Sequence, residues 1–139
     1  MDKLVSIKGK LGFGTLRLPF KDGKVNISET CEMVDIYIQN GFNYFDLAHG
    51  YMSGQCESAM RQALTDRYPR EDFILSNKLT WEYFKKEEDI IPFFENQLKL
   101  CGTSYFDIYL LHALTRYKFD KFKKSNAFGI LKKLKKKAK

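Results

Sequence analysis

Paired cysteines are missing from this sequence. Its three cysteines, Cys31, Cys56 and Cys101, lie far apart and make no C-x-x-C motif. An odd, scattered set is expected to stay reduced, as small buried apolar residues. Histidine is equally scarce, with only His49 and His112, so a structural metal site is not expected. No apolar run approaches the roughly 18 residues of a membrane span, and no membrane partner is expected. The opening Met1-Asp2-Lys3-Leu4-Val5-Ser6 carries no charged-then-apolar signal pattern, which predicts a cytoplasmic protein. Low-complexity linkers and breaks in composition are absent too. A single domain over residues 1–139 follows, with a lysine-rich end at 132–139.

The net charge of +7 points at first to a nucleic-acid partner, but six lysines sit in the last eight residues. Without them 18 basic residues face 17 acidic ones. The body of the protein is nearly neutral, so no nucleic-acid-binding face is implied. A run of lysines at a helix C-terminus suits the helix dipole.

What the chain does have is rhythm. Apolar strand-like runs begin at Leu11 (LGFGTLRL), Phe42 (FNYFDLA), Asp72 (DFILSNKL) and Phe106 (FDIYLLH), 31, 30 and 34 residues apart. Each gap holds a helical stretch: SETCEMVDIYIQN closed by Gly41, GQCESAMRQALTDRY ended by Pro69 and EEDIIPFFENQLKL ended by Gly102; a fourth, NAFGILKKLKKK, follows the last run. The first helix could start from Asn26 with Glu29 as a capping box, or from Ser28. Pro92 is tolerable only in a first turn. Strand then helix, repeated, is a parallel α/β pattern. Two architectures remain, an open doubly wound sheet and a β/α barrel. No strand leads into a G-x-G-x-x-G turn opening a helix, which disfavours the dinucleotide fold.

Three strand runs finish on an ionisable side chain: Asp46, Lys78 and His112. A charge at the end of a buried strand is costly without a partner or a use. In a β/α barrel these ends converge on one mouth, where active sites are built. Tyr51 arrives on the loop five residues after Asp46. Taken singly, Asp46 reads as a turn former, Tyr51 as packing, Lys78 as an exposed loop lysine and His112 as a satisfied core histidine. Jointly they are a specific constellation.

That constellation, with LGFGTLRLP, GFNYFDLAHGYMSGQCESAMRQAL, PREDFILSNKL and YFDIYLLHAL, resembles the aldo-keto reductase superfamily. The likeness runs from about Leu11 to the C-terminus, with Leu47 standing where a threonine or serine is usual. It implies the first four of eight (β/α) units of a TIM-type barrel, a half-barrel. It also implies reduction of aldehydes or ketones by hydride transfer from NADP(H). By the resemblance Tyr51 is the proton donor, Lys78 stabilises its phenolate, Asp46 holds Lys78, and His112 positions the carbonyl oxygen. Gly14, Thr15 and Asp46 would bind the nicotinamide end of the cofactor. Trp81, with His49, would line a pocket for a small-molecule carbonyl substrate, although a solvent-facing loop histidine is the plainer reading of His49.

A barrel of this type has eight strands in about 250 residues, so the sequence reads as truncated. Its activity alone is expected to be weak or nil, because the family's phosphate contacts come from later strands. Two open sheet edges would favour self-association. A non-catalytic half-barrel assembly module is the alternative. A metal-dependent hydrolase using Asp46, His49 and His112 is a further one, disfavoured by the conspicuous lysine.

Overall fold

The computed structural model describes residues 6–137. Four strands form one sheet: β1 (Phe13–Gly14), β4 (Tyr44–Asp46), β5 (Ile74–Leu79) and β6 (Ile108–Leu111), in the spatial order β1-β4-β5-β6. Every pairing is parallel, with Gly14 level with Asp46, Asp46 with Ser76, and Lys78 with Leu110. Chain order equals spatial order, as in successive β/α units that curl toward a barrel.

The connections are helical. Helix α1 (Ile27–Gln39) starts from Asn26, whose side-chain oxygen accepts the Glu29 N–H at 3.3 Å while its amide bonds the Glu29 carboxylate at 3.1 Å. The Asn26 start therefore prevails over Ser28. Thr30, Val34 and Tyr37, spaced to share a face, are its buried residues. Helix α2 (Cys56–Met60) runs on through a π-helical turn, Arg61–Thr65. Helix α3 (Ile90–Cys101) takes Pro92 in its first turn, where no N–H is missed, and stops at Gly102 with φ +63°. A Cβ there would be strained by the backbone and would also meet Arg61 at 2.8 Å.

β5 is central, and all six of its residues are buried. Side chains alternate along a strand. Leu75, Asn77 and Leu79 turn to the helices, as Asn77's bond to Glu57 of α2 indicates. Ser76 and Lys78 turn the other way, toward Asp46. Two apolar clusters flank this strand. One holds Val34, Phe45, Leu64 and Phe73 with their neighbours, the other Leu79, Phe84, Ile90 and Phe122. Burying a side chain such as Phe45, at 0% exposure, contributes about 2–3 kcal/mol.

Two features depart from the sequence reading. The LGFGTLRL run supplies only a two-residue strand, and the chain then makes an antiparallel hairpin, β2 (Phe20–Lys21) with β3 (Lys24–Val25). Asp22 and Gly23 turn it with φ of 51° and 77°, the positive pair that Asp-Gly favours in a two-residue hairpin. The last stretch holds two helices, α4 (Arg116–Lys124) and α5 (Ala127–Lys137), where one was expected. The Thr115 side chain accepts the Lys118 N–H and starts the extra helix. Of the lysine-rich end, residues 138–139 lie outside the described residues.

Candidate functional site

The parallel register brings the strand ends to one rim. Lys78 Nζ donates to Asp46 Oδ2 at 2.8 Å and to the Leu47 carbonyl at 2.6 Å. The Lys78 residue is only 8% exposed, so the exposed loop lysine is corrected. The inward phase of β5 carries its side chain under the rim, and a buried ammonium requires such partners. Ser76 Oγ donates to the other carboxylate oxygen of Asp46 at 3.3 Å.

Tyr51 opens a tight turn in which Met52, Ser53 and Gly54 have φ of 53°, 56° and 82°. Two successive non-glycine residues in the left-handed region store roughly 1–2 kcal/mol each. The turn returns the Tyr51 ring to the rim: Lys78 Nζ lies 4.8 Å from its centre, and the His112 ring 5.7 Å away at 80°. His112 extends β6, its N–H bonded to the Leu79 carbonyl at 3.0 Å. Its Nδ1 lies 2.8 Å from Thr80 Oγ1. With the Thr80 hydroxyl as donor, the imidazole proton resides on Nε2 and is available to an acceptor. Burial first, and then the charge of Lys78, hold the His112 pKa below its ordinary value, with a further contribution from Lys118. Asp46, Tyr51, Lys78 and His112 thus form one connected cluster. Thr80, which sequence reasoning passed over, anchors the His112 imidazole.

Thr15 is fully buried, and its N–H and hydroxyl both go to the Asp46 carbonyl, at 3.2 and 2.8 Å. Its hydroxyl also lies 3.0 Å from Cys56 Sγ. Gly14 beside it is exposed, with nothing within 4 Å of where a Cβ would stand. Burial pushes the Cys56 thiol up to about 11, and all three cysteines are free.

The plain solvent-facing reading of His49 is corrected as well. Its Nδ1 donates to Glu57 Oε2 at 2.7 Å, and its ring packs edge-on against Tyr83 and Phe93. Glu57 is entirely buried; its other oxygen accepts from Asn77 at 2.8 Å and from Gln97 at 2.9 Å. Nothing in the local sequence marks Glu57, since its partners come from three other elements. Trp81 follows Thr80 directly, and its indole lies under the ammonium groups of Lys118 and Lys121. Among the described residues no three His, Cys, Asp or Glu side chains are grouped to hold a metal ion. No helix there is long and apolar enough to cross a membrane.

A model of the aldo/keto reductase family matches residues 10–139. The chain is 36% identical over 105 residues to human aldo-keto reductase family 1 member C3, covering 74% of this chain and 31% of that protein. The holo form of an aldo-keto reductase from Bacillus halodurans superposes with a TM-score of 0.68 at 28% identity, over 88% of this chain and 42% of that one. An aldo-keto reductase from Klebsiella pneumoniae in complex with NADPH superposes at 0.61 with 25% identity, over 73% and 34%. The chain therefore spans about a third of the length of the curated relatives it matches.

Proposed function

The chain belongs to the aldo/keto reductase family, and from that membership we propose that it carries the catalytic corner of an NADP(H)-dependent oxidoreductase that reduces aldehydes and ketones to alcohols. The observation that carries this reading is the Lys78 ammonium, fixed by Asp46 at 2.8 Å and set 4.8 Å from the Tyr51 ring centre.

In this proposal Tyr51 gives a proton to the carbonyl oxygen. Lys78 stabilises the phenolate left behind, and Asp46 keeps the ammonium charged and oriented. His112, neutral at pH 7, donates from Nε2 to the same oxygen. Such acid catalysis contributes about 10²–10⁴-fold. NADPH, when bound, would supply the hydride. The open face beside Gly14, next to Asp46, suits a flat ring at close approach. Gly14 and Asp46 would line that end of the cofactor, while Thr15 braces Asp46 from behind. Trp81 and His49 would border the substrate. Scattered free cysteines support a cytoplasmic location, and the near-neutral body supports a small-molecule partner rather than nucleic acid.

We also propose that these 139 residues alone turn over at or near background. Among the described residues β1 and β6 each have a single hydrogen-bonded neighbour, which favours self-association through these edges. The test follows NADPH oxidation with a reactive aldehyde. It uses the chain itself and a hybrid in which the chain replaces the matching segment of a full-length relative. The hybrid should reduce the aldehyde and lose about 100-fold or more with Tyr51→Phe. A folded hybrid that fails, or one indifferent to Tyr51→Phe, overturns the reading. Brisk turnover by the chain alone overturns the second part.

A further inference from the structure

Resting on the carbonyl-reduction reading, we propose that Glu57 is a positioning residue for the Lys78–Tyr51 pair. It acts through other groups. One buried carboxylate on α2 holds both the strand that carries the lysine and the loop that carries the tyrosine.

The first arm runs to the strand. Glu57 Oε1 accepts from Asn77 Nδ2 at 2.8 Å and from Gln97 Nε2 at 2.9 Å. Both amides also bind the Lys78 backbone. Asn77 Oδ1 accepts the Lys78 N–H at 2.8 Å, and Gln97 Nε2 donates to the Lys78 carbonyl at 3.2 Å. A carboxylate only accepts, so it turns the NH2 group of each amide toward itself. That choice leaves the Asn77 oxygen for the Lys78 N–H and the Gln97 oxygen for the Tyr109 hydroxyl. Glu57, Asn77 and Gln97 are all fully buried, so bulk water does not compete for these bonds.

The second arm runs to the loop. Glu57 Oε2 accepts from His49 Nδ1 at 2.7 Å. His49 is the first corner of a tight turn, closed where the Tyr51 N–H bonds the Ala48 carbonyl at 3.1 Å. Just before that turn, the Leu47 carbonyl accepts from Lys78 Nζ at 2.6 Å. The His49 ring packs edge-on against Tyr83 and Phe93, and a Cβ on Gly50 would meet Tyr83 Oη at 2.9 Å. The turn therefore has little room to shift, and the bond to Glu57 fixes which way its corner faces. Proton transfer requires Lys78 to stay beside the Tyr51 ring. A displacement of about 1 Å in such an arrangement can cost about 100-fold in rate.

The test joins NMR of the imidazole nitrogens in the full chain to kinetics of the hybrid. Glu57→Gln offers one oxygen and one NH2 group. Its oxygen satisfies the two amides, so its NH2 group faces His49 Nδ1 and requires the opposite tautomer. The His49 proton should sit on Nδ1 in the native chain and on Nε2 in Glu57→Gln. In the hybrid, Glu57→Gln and Gln97→Met should each lower kcat at least about tenfold, with the aldehyde KM and the NADPH affinity changed by less than about twofold. Val34→Ala truncates the core on α1, outside this network. It should cost stability and leave kcat unchanged, which separates positioning from a general loosening of the fold. A native chain with the His49 proton on Nε2 overturns the proposal. So do folded Glu57→Gln and Gln97→Met hybrids that keep full kcat, or a Val34→Ala hybrid that loses kcat as they do. A native hybrid that never oxidises NADPH sinks the reductase reading instead, and the tautomer reversal in the chain then still decides whether Glu57 orders the loop.

Discussion

Lys78 and Asp46 meet at 2.8 Å across two adjacent parallel strands. Their side chains are 10% and 29% exposed, so the pair is largely withdrawn from water while one carboxylate edge stays open at the rim. Asp46→Asn leaves the ammonium with the Leu47 carbonyl and no counter-charge. A loss of roughly 1–3 kcal/mol is expected, read as a lower urea midpoint. Lys78→Met added to Asp46→Asn should recover part of the loss, because it removes the stranded cation. A double variant less stable than Asp46→Asn alone would contradict this account.

His112 should titrate below 6.5, since burial and the Lys78 charge disfavour its cation. The folded chain then binds fewer protons than the unfolded one between the folded value and 6.5. This contribution to stability is complete above the unfolded value and is lost as pH falls through that window. NMR of the imidazole gives the folded value directly. Lys118→Gln should raise it slightly, and Lys78→Met should raise it more. A folded value at or above 6.5 would refute the prediction.

Glu57→Leu should cost roughly 3–5 kcal/mol. It leaves the donors of His49, Asn77 and Gln97 without their acceptor, and each buried loss is worth about 1–3 kcal/mol. Glu57→Gln keeps an acceptor oxygen and should cost less. Equal denaturation midpoints for Glu57→Leu and the native chain would show that this network contributes nothing.

Two glycines should separate backbone strain from ligand access. Gly54 has φ +82° with nothing nearer than 4.0 Å to a Cβ, so Gly54→Ala should cost about 1–2 kcal/mol through conformation alone. Gly14 has open space instead. Gly14→Ala should keep full stability yet weaken NADPH binding to the hybrid at least about tenfold, seen by fluorescence titration. Unchanged affinity would remove Gly14 from the cofactor face.

Much of the architecture was written locally. The spacing of apolar runs fixes strand and helix in turn, because burial on both faces requires continuous apolar strands. Asn26 marks a helix start through its side-chain cap, and Gly41 and Gly102 mark helix ends through their positive φ. Asp46, Lys78 and His112 were visible as ionisable residues ending apolar runs, and Tyr51 as the tyrosine on the loop after Asp46. The hairpin at Asp22-Gly23 was legible in principle, since Asp-Gly is a turn signature, but it lies past the LGFGTLRL run, in the stretch between that strand and the first helix.

Other features depend on which elements abut. The phase of β5 decides that Lys78 faces Asp46 while Asn77 faces Glu57, and a one-residue slip would exchange them. Glu57 acquires its role only when α2, α3 and β5 close around it and remove its water. Lys118 and Lys121 look like any solvated helical lysines until α4 folds over Trp81. Periodicity is a property of neighbours in the chain. Partnership of buried charges is a property of neighbours in space, and packing alone selects them.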